Sequence, residues 1–269
     1  MRDDLVPDDL WERVAPLLPP APDRRQRYPG RLRVPDRAAL AGVMYVLRTG
    51  VAWRDVPADA VGCSGVTAWR RLRDWTEADV WPRLHAALLT ELRRAGSLGP
   101  GRLLRGRLAR PCSQRGDHVG PSPVDRARPG SKHHLIVDRH GTPLAVTLTG
   151  GNRHDVTQLL PLIDAVPPIR GLRGRPRRKP RRLHADRGYD FEKYRRLLRK
   201  RSIKPLIARR GVAHGSGLGK VRWVVERAFA WLHQFKRLRV RYERHADLHV
   251  GLLQLACSII CLRRLRASG

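Results

Sequence analysis

The chain has 269 residues, 41% of them hydrophobic, and carries a formal net charge of +31 with a pI near 11.6. This apolar content argues against a disordered tail, and so positive a surface requires a polyanionic partner. Nucleic acid is the polyanion that most commonly compensates such a charge, so we expect a nucleic-acid-binding protein. No apolar run approaches a membrane-spanning length and no signal-like segment follows Met1, so we expect a soluble, cytoplasmic protein with no membrane partner.

The four cysteines form no Cys-x-x-Cys pair, which argues against a zinc site or a disulfide framework. Cys257 and Cys261 lie one helical turn apart in an apolar segment. Because a buried thiol packs like a small hydrophobe, we expect both to be core residues.

Residues 1–95 are predicted to form a small all-α domain. Leu5–Leu18 is amphipathic and stops at two prolines, and apolar residues recur at helical spacing between Arg37 and Leu47. After the turn at 62–65, a helix from Val66 to Trp75 would turn apolar side chains inward and Arg70, Arg71 and Arg73 outward. This layout is typical of a helix-turn-helix DNA reader, although a basic helix face that is only solvated remains an alternative.

Residues 96–130 are predicted to be a linker with a degraded first core strand, because Gly, Pro and Arg dominate and no clear period appears. Residues 131–269 are predicted to be a mixed α/β domain. It begins with a hairpin, 133–138 and 143–148, joined by a turn. Asp155 is expected to cap the next helix.

A basic loop is predicted at 170–182, where eight residues are Arg or Lys and none is acidic. The strand that follows ends in Asp186 and is succeeded by Gly188. A carboxylate at the carboxyl end of a strand lies where α/β folds bind substrates, so Asp186 is a candidate metal ligand. The alternative is an ordinary turn in which Asp186 is a cap.

Glu226 lies beside the apolar face of a helix predicted from Val221 to Phe235. Because an unpaired carboxylate is costly there, Glu226 is a second candidate metal ligand, with Arg222 one turn before it. The alternative is an i,i+4 ion pair between Arg222 and Glu226 on a solvated surface.

Taken together, these motifs resemble the transposases of the insertion-sequence-five group, within the insertion-sequence-four class of DDE enzymes. The resemblance covers most of the chain. Its N-terminal part rests on 10–12, 50–57 and 69–75, and its catalytic part rests on 130–138, 150–155, 185–190 and 225–231.

This resemblance implies a ribonuclease H-like fold in which three acids hold two Mg²⁺ ions. Asp186 matches the second acid and Glu226 the third, so both are expected to be catalytic and to bind the metal. Two metal ions can stabilise the attacking and leaving oxygens of a phosphodiester displacement. Arg70, Arg71, Arg73, Arg187, Lys220 and Arg222 are the candidate DNA-binding residues.

The resemblance implies double-stranded DNA as the partner, both as terminal inverted repeats and as target, and is compatible with a homodimer on DNA. It also implies a bacterial protein that is associated with the nucleoid. The family signature is incomplete near Glu226, because Gly219 and His233 stand where Tyr and Lys are expected.

The first acid of the family is absent. Counting back from Gly120 places its position on Gly106, and 101–113 contains no Asp or Glu. We explain this by a compensated frameshift, because out-of-register codons of a GC-rich gene encode mainly Arg, Leu, Gly and Pro. The alternative is that another acid serves.

The function that follows is a transposase with impaired Mg²⁺-dependent hydrolysis and strand transfer. The alternative is a catalytically inactive, transposase-derived DNA-binding protein.

Overall fold

The computed structural model describes residues 5–21, 23, 27, 32–99, 102–123, 125–211 and 219–268. The helices are α1 (Asp8–Val14), α2 (Asp36–Thr49), α3 (Ala58–Val61), α4 (Gly65–Glu77), α5 (Val80–Arg94), α6 (Leu159–Asp164), α7 (Glu192–Lys200), α8 (Gly219–His233) and α9 (Ala246–Arg266). The strands are β1 (Arg102–Pro111), β2 (Gly120–Pro121), β3 (Pro129–Asp138), β4 (Pro143–Gly150), β5 (Arg182–Ala185) and β6 (Lys204–Ile207).

The N-terminal helices form where the apolar period predicts them. Helix α2 ends at Gly50, whose φ of 76° is the left-handed conformation that commonly closes a helix. Helix α4 begins after Ser64, whose side chain accepts a hydrogen bond from the amide of Thr67. Leu72 and Trp75 are fully buried, as the sequence predicts for the inner face of this helix.

The sheet is mixed, with the order β2-β3-β1-β5-β6 and with β4 also paired to β3. Strand β1 lies in its centre, antiparallel to β3 and parallel to β5. The predicted hairpin is confirmed as β3 and β4. The first core strand expected within 96–130 is therefore a ten-residue strand at the middle of the sheet.

Helix α9 connects the two halves of the chain. It packs against α5 and α4 on one side and against β4 on the other, and the buried apolar residues form one continuous cluster. Cys257 and Cys261 are fully buried in it, which confirms their predicted place in the core. Within the described residues, α9 alone is long and apolar enough to cross a membrane, and 72% of its apolar window is buried inside the protein.

The predicted cap at Asp155 is wrong. His154 caps the 3-10 helix Asp155–Gln158 by accepting from the Val156 amide, and α6 begins only at Leu159. Asp155 instead pairs with Lys132 of β3, with 3.2 Å between the Lys132 Nζ and a carboxylate oxygen. The Lys132 ammonium is nearly buried and would be costly to leave unpaired, so Asp155 pairs with it and does not cap the helix.

His85 makes folding sensitive to acid. Its Nε2 lies 2.9 Å from the carbonyl oxygen of Pro143, and burial lowers its pKa to about 4. Because this pKa lies below the unfolded value of about 6.5, stability is present above pH 6.5 and falls as the pH drops towards 4, by roughly 3 kcal/mol in all. In urea denaturation, His85→Gln should flatten this decline, since the amide donates to Pro143 but does not titrate. An unchanged decline in the variant would contradict the assignment.

Candidate active site and DNA-binding surface

Asp186 lies directly after β5 with extended backbone, at the carboxyl end of the strand. Its Oδ1 accepts a hydrogen bond of 2.8 Å from the Gly188 amide, which caps the 3-10 helix Arg187–Tyr189. The capping interpretation of the sequence is therefore correct in part. The side chain is exposed, so capping and ligand binding are compatible roles.

Gly106 lies on the central strand at the level of Asp186. The parallel register pairs Leu104 with His184, and its extension by two residues would bring Gly106 level with Asp186, which directly follows β5. Alternate residues of a strand share a face, so both positions belong to the same side of the sheet. This is the position at which the family resemblance implies the first acid.

The space in front of Gly106 is filled by α8. A Cβ atom built on Gly106 would lie 2.1 Å from Cγ1 of Val225 and 3.0 Å from Cε2 of Phe229. Any side chain at this position would therefore have to displace Val225. The close approach of helix and strand depends on the glycine.

Glu226 follows Val225 on α8 and is exposed. Helix α8 packs on β1 and β3, and its Val225 side chain faces Gly106. The predicted partner Arg222 and the neighbouring Lys220 have side chains outside the described ones. Arg187 is described, next to Asp186 and partly exposed.

Among the described residues, no group of three His, Cys, Asp or Glu side chains could hold a metal ion. Asp138 cannot supply a third carboxylate, because it is fully buried and accepts from the amides of Gly99, His140 and Thr142. These bonds fix the β3–β4 turn. Asp117 and Asp125 lie in exposed turns of the β1–β3 connection.

The three predicted DNA-binding arginines of α4 differ in their surroundings. The Arg71 guanidinium is held by Asp36 at 3.0 Å and its side chain is only 14% exposed. Arg73 pairs with Asp74 at 2.8 Å and lies over the Trp69 ring. Arg70 is exposed and, within the described part of the chain, has no hydrogen-bond or ion-pair partner. It borders a groove whose other walls include Leu32, Ser64 and Thr67.

The sequence did not indicate the ion pairs that order the loop after Asp186. Asp190 accepts from the Arg195 side chain and from the Arg210 amide, both at 2.8 Å. Burial raises the pKa of Asp190, but the Arg210 amide and Arg195 outweigh it and lower the pKa overall. The Arg210 side chain in turn donates to the carbonyl of Arg187. The two contacts of Arg210 join segments about twenty residues apart, so no local pattern could have revealed them.

A second unpredicted cluster lies further along β1. The Arg110 guanidinium contacts the His233 ring on α8. Burial, with the positive charges of Arg110 and Arg239, lowers the pKa of His233 to about 4. The His233 ring is therefore neutral near pH 7 and can accept the hydrogen bond.

Two family models match separate parts of the chain. The model described as "Transposase DDE domain" matches residues 113–261, and a model for transposases of the IS4/5 family matches residues 6–85. The DDE match begins just after β1, so Gly106 precedes it.

Relatives of known origin agree. The chain is 59% identical over 177 residues to a protein named as a putative transposase for insertion sequence element IS402 from Burkholderia cepacia. The matched region covers 65% of this chain and 84% of the relative. It is 56% identical over 95 residues to an uncharacterised 16.2 kDa protein of the same element, covering 35% of this chain and 64% of that one. A transposase for IS1106 from Neisseria meningitidis is 27% identical over 154 residues, covering 52% of this chain and 48% of the relative.

Among solved structures, the Mos1 strand transfer complex is 13% identical with a TM-score of 0.33, covering 92% of this chain and 82% of that one. The family match is carried by the sequence comparisons, which cover more than half of the chain, and it agrees with a ribonuclease H-like α/β fold. The chain therefore belongs to the DDE transposases, among the IS4- and IS5-like enzymes of insertion sequences.

Proposed function

We propose that this chain binds the terminal inverted repeats of an insertion sequence but has lost most of the hydrolysis and strand transfer that its family performs. The observation that carries this proposal is that Gly106 stands on the central strand two residues beyond Leu104, the partner of His184, at the position where the first acid is expected. Family membership supports a role in transposition, and the net charge of +31 supports binding to DNA.

The donor set explains the proposed loss. Asp186 and Glu226 offer oxygen ligands that suit Mg²⁺, but the described residues contain no third ligand beside them. Divalent metal ions would supply the stabilisation of charge on the reacting phosphate. With one carboxylate missing, the residues present do not fit the two-metal site that the family uses, so we derive no catalytic step through the metal.

A cleavage assay tests this proposal. The full chain is incubated with a supercoiled plasmid that carries the repeats of a closely related element, in Mg²⁺ or Mn²⁺. We expect binding without nicking, because loss of a metal ligand should cost more than the roughly 10–100-fold typical of residues behind the ligands. Robust metal-dependent nicking would refute the proposed impairment.

Helix α4 is the proposed DNA-reading helix, with Arg70 as its principal contact. Arg70 is exposed, and Ser64, Val66 and Thr67 before it are on or near the surface at the amino end of the helix. The amino-terminal residues of a recognition helix are those that reach base edges. Arg71 and Arg73 would contribute phosphate contacts only by exchanging their present carboxylate partners. Arg187, Lys220 and Arg222 remain proposed contacts near Asp186 and Glu226.

We predict that Arg70→Ala weakens binding to repeat DNA. If the contact is to a phosphate, the slope of log K against log salt concentration should also fall in magnitude by about 1. Fluorescence anisotropy across a range of salt concentrations measures both quantities. Arg196→Ala removes one exposed arginine from α7, for which the described residues offer no carboxylate partner, and is the matched control. Equal affinities for the two variants at moderate salt would remove α4 from the interface.

The second candidate function is a non-catalytic DNA-binding protein that occupies the repeats of intact copies of the element. The same Gly106 favours it, because repeat recognition by α4 does not require the metal site. Co-expression with an intact relative tests it: occupation of the repeats should lower the transposition frequency, and an unchanged or raised frequency would contradict this role. A homodimer on DNA and a place at the nucleoid remain predictions.

A further inference from the structure

The segment between α6 and β5 forms a small basic hairpin. Ile169 and Arg177 exchange two backbone hydrogen bonds of 2.8 and 2.9 Å, and residues 170–176 form the loop between them. We call residues 169–177 the basic hairpin. The structure thus contains a hydrogen-bonded hairpin in the segment where the sequence predicts only a basic loop.

The base of the basic hairpin is fixed on helix α5. Ile169 is buried, and its carbonyl accepts a hydrogen bond from the Arg93 side chain. A Cβ atom on Gly171 would lie 2.5 Å from the Thr90 carbonyl oxygen, so the hairpin backbone approaches α5 closely. Arg177 donates to the carbonyl of Gly99 at 3.3 Å. The tip is therefore held in a defined place.

The tip itself is exposed and uncompensated. Arg170, Arg173 and Arg175 are exposed, and within the described residues none has a carboxylate partner. Leu172 is 57% exposed, one of few large apolar side chains on the surface. Burial, with the charges of Arg93 and Arg181, lowers the pKa of Arg177 at the base.

The shape of the tip is suited to a narrow groove. Gly174 lies between Arg173 and Arg175 with φ of 102°, and its missing side chain would meet no atom within 4 Å. The backbone between the two guanidinium groups can thus approach the floor of a groove, as a bulkier residue could not. The minor groove of duplex DNA is only about 6 Å wide, and where it narrows further its negative potential attracts arginine.

The side chains of the tip also favour the minor groove over the major groove. Residues 170–176 contain no Asn, Gln, Ser or Thr. In the major groove arginine pairs with guanine and such amides pair with adenine, so this tip lacks the usual reader of A·T-rich sequence there. Minor-groove proteins instead combine arginines with an exposed apolar side chain against the base steps, the combination provided here by Leu172 and its neighbours.

We propose that the basic hairpin inserts Arg173, Gly174 and Arg175 into the minor groove of duplex DNA with a narrow, A-tract-like groove. This inference rests on the duplex binding proposed above. Arg177 at the base of the hairpin contacts Gly99 just before β1, at the amino ends of the parallel strands β1 and β5, whereas Asp186 follows the carboxyl end of β5. The hairpin therefore holds DNA away from the candidate active site and reads its shape, separately from α4.

Binding of the full chain to three duplexes of equal length tests this proposal: A-tract DNA, GC-rich DNA and RNA. The Arg173→Ala/Arg175→Ala variant removes two charges from the tip. The matched control, Arg178→Ala/Lys179→Ala, removes two exposed charges just beyond it. Thermal unfolding verifies that both variants fold like the natural chain.

We expect the tip variant to lose about tenfold or more in affinity for A-tract DNA and clearly less for GC-rich DNA, because the arginines gain most in the narrow groove. The control should weaken both DNA duplexes by a similar, smaller factor. Netropsin, a minor-groove ligand, should abolish the difference between the natural chain and the tip variant.

Equal losses for tip and control on every duplex would overturn the proposal and leave a non-specific phosphate contact. Equal loss on RNA would also overturn it, since the RNA minor groove is wide and shallow. Both outcomes would leave duplex binding intact. Failure of the natural chain to bind any duplex would instead remove the proposed function, and the inference with it.

Discussion

A variant that combines Gly106→Asp with Val225→Ala is expected to gain metal-dependent strand cleavage that the natural chain lacks. The first substitution supplies a carboxylate beside Asp186 on the same face of the sheet. The second removes the Cγ1 atom that would otherwise lie 2.1 Å from the new Cβ. Nicking of repeat-bearing plasmid in Mg²⁺ or Mn²⁺ should rise by more than about 100-fold over the natural chain.

Single variants separate chemistry from packing. Gly106→Asp alone should gain less, because Val225 must move and α8 with it, and it should lower the midpoint of thermal unfolding. Gly106→Asn with Val225→Ala has nearly the same shape but lacks the charge, so it should remain inactive. If the double variant with Asp folds and binds DNA but does not nick it, the assignment of this position as the missing acid is wrong.

Glu243→Gln is expected to destabilise the protein by about 3–5 kcal/mol, because it leaves a buried arginine without its counter-charge. Arg237 and Glu243 are joined at 2.7 Å and their side chains are 6% and 2% exposed. Burial tends to raise the pKa of Glu243, but the hydrogen bond from His249 and the charge of Arg237 lower it overall. Its contribution to stability is therefore present above an unfolded pKa of about 4.3 and is lost as the pH falls through the lower folded value.

The matched control is Glu91→Gln, which breaks a second Arg–Glu pair in a more exposed place. Arg13 and Glu91 also lie 2.7 Å apart, but their side chains are 25% and 29% exposed, so the cost should be about 1 kcal/mol or less. Urea denaturation at pH 7 measures both free energies of unfolding. Similar small losses in the free energy of unfolding for both variants would contradict the larger contribution expected of the buried pair.

The Arg237 network also explains why the two halves of the chain share one core. Arg237 donates to the carbonyl of Val51 at 3.0 Å and lies over the rings of Trp53 and Tyr242. The motif around Trp53 thus packs against the segment that follows α8. The predicted domain boundary at residue 95 stays a prediction, but the side chains on either side of it are in contact.

Local patterns predicted most of the helices and the β3–β4 hairpin. Helical spacing of apolar residues defines α2 and α9, and the hairpin follows from two apolar runs around a Gly-containing turn. Strand β1 was harder to recognise, because 102–111 is rich in arginine and has no clear alternation. It is a strand because β3 and β5 supply backbone partners on both sides, which no local pattern records.

For the candidate site too, the sequence predicted some features and the tertiary structure alone showed the others. The sequence predicted Asp186 and Glu226 as metal ligands and Gly106 as the position of the missing acid. It did not reveal that Val225 fills this position or that Asp36 already pairs with Arg71, because these contacts join residues distant along the chain.

The sequence by itself determined the family, the strongly basic character and the absence of an acid in 101–113. These properties are composition and ordered motifs, which do not depend on how the chain packs. Only the tertiary structure decided that Gly106 lies beside Asp186, which arginines are exposed and that the basic hairpin projects from α5. Register, burial and charge pairing arise between distant segments, and folding alone brings those segments together.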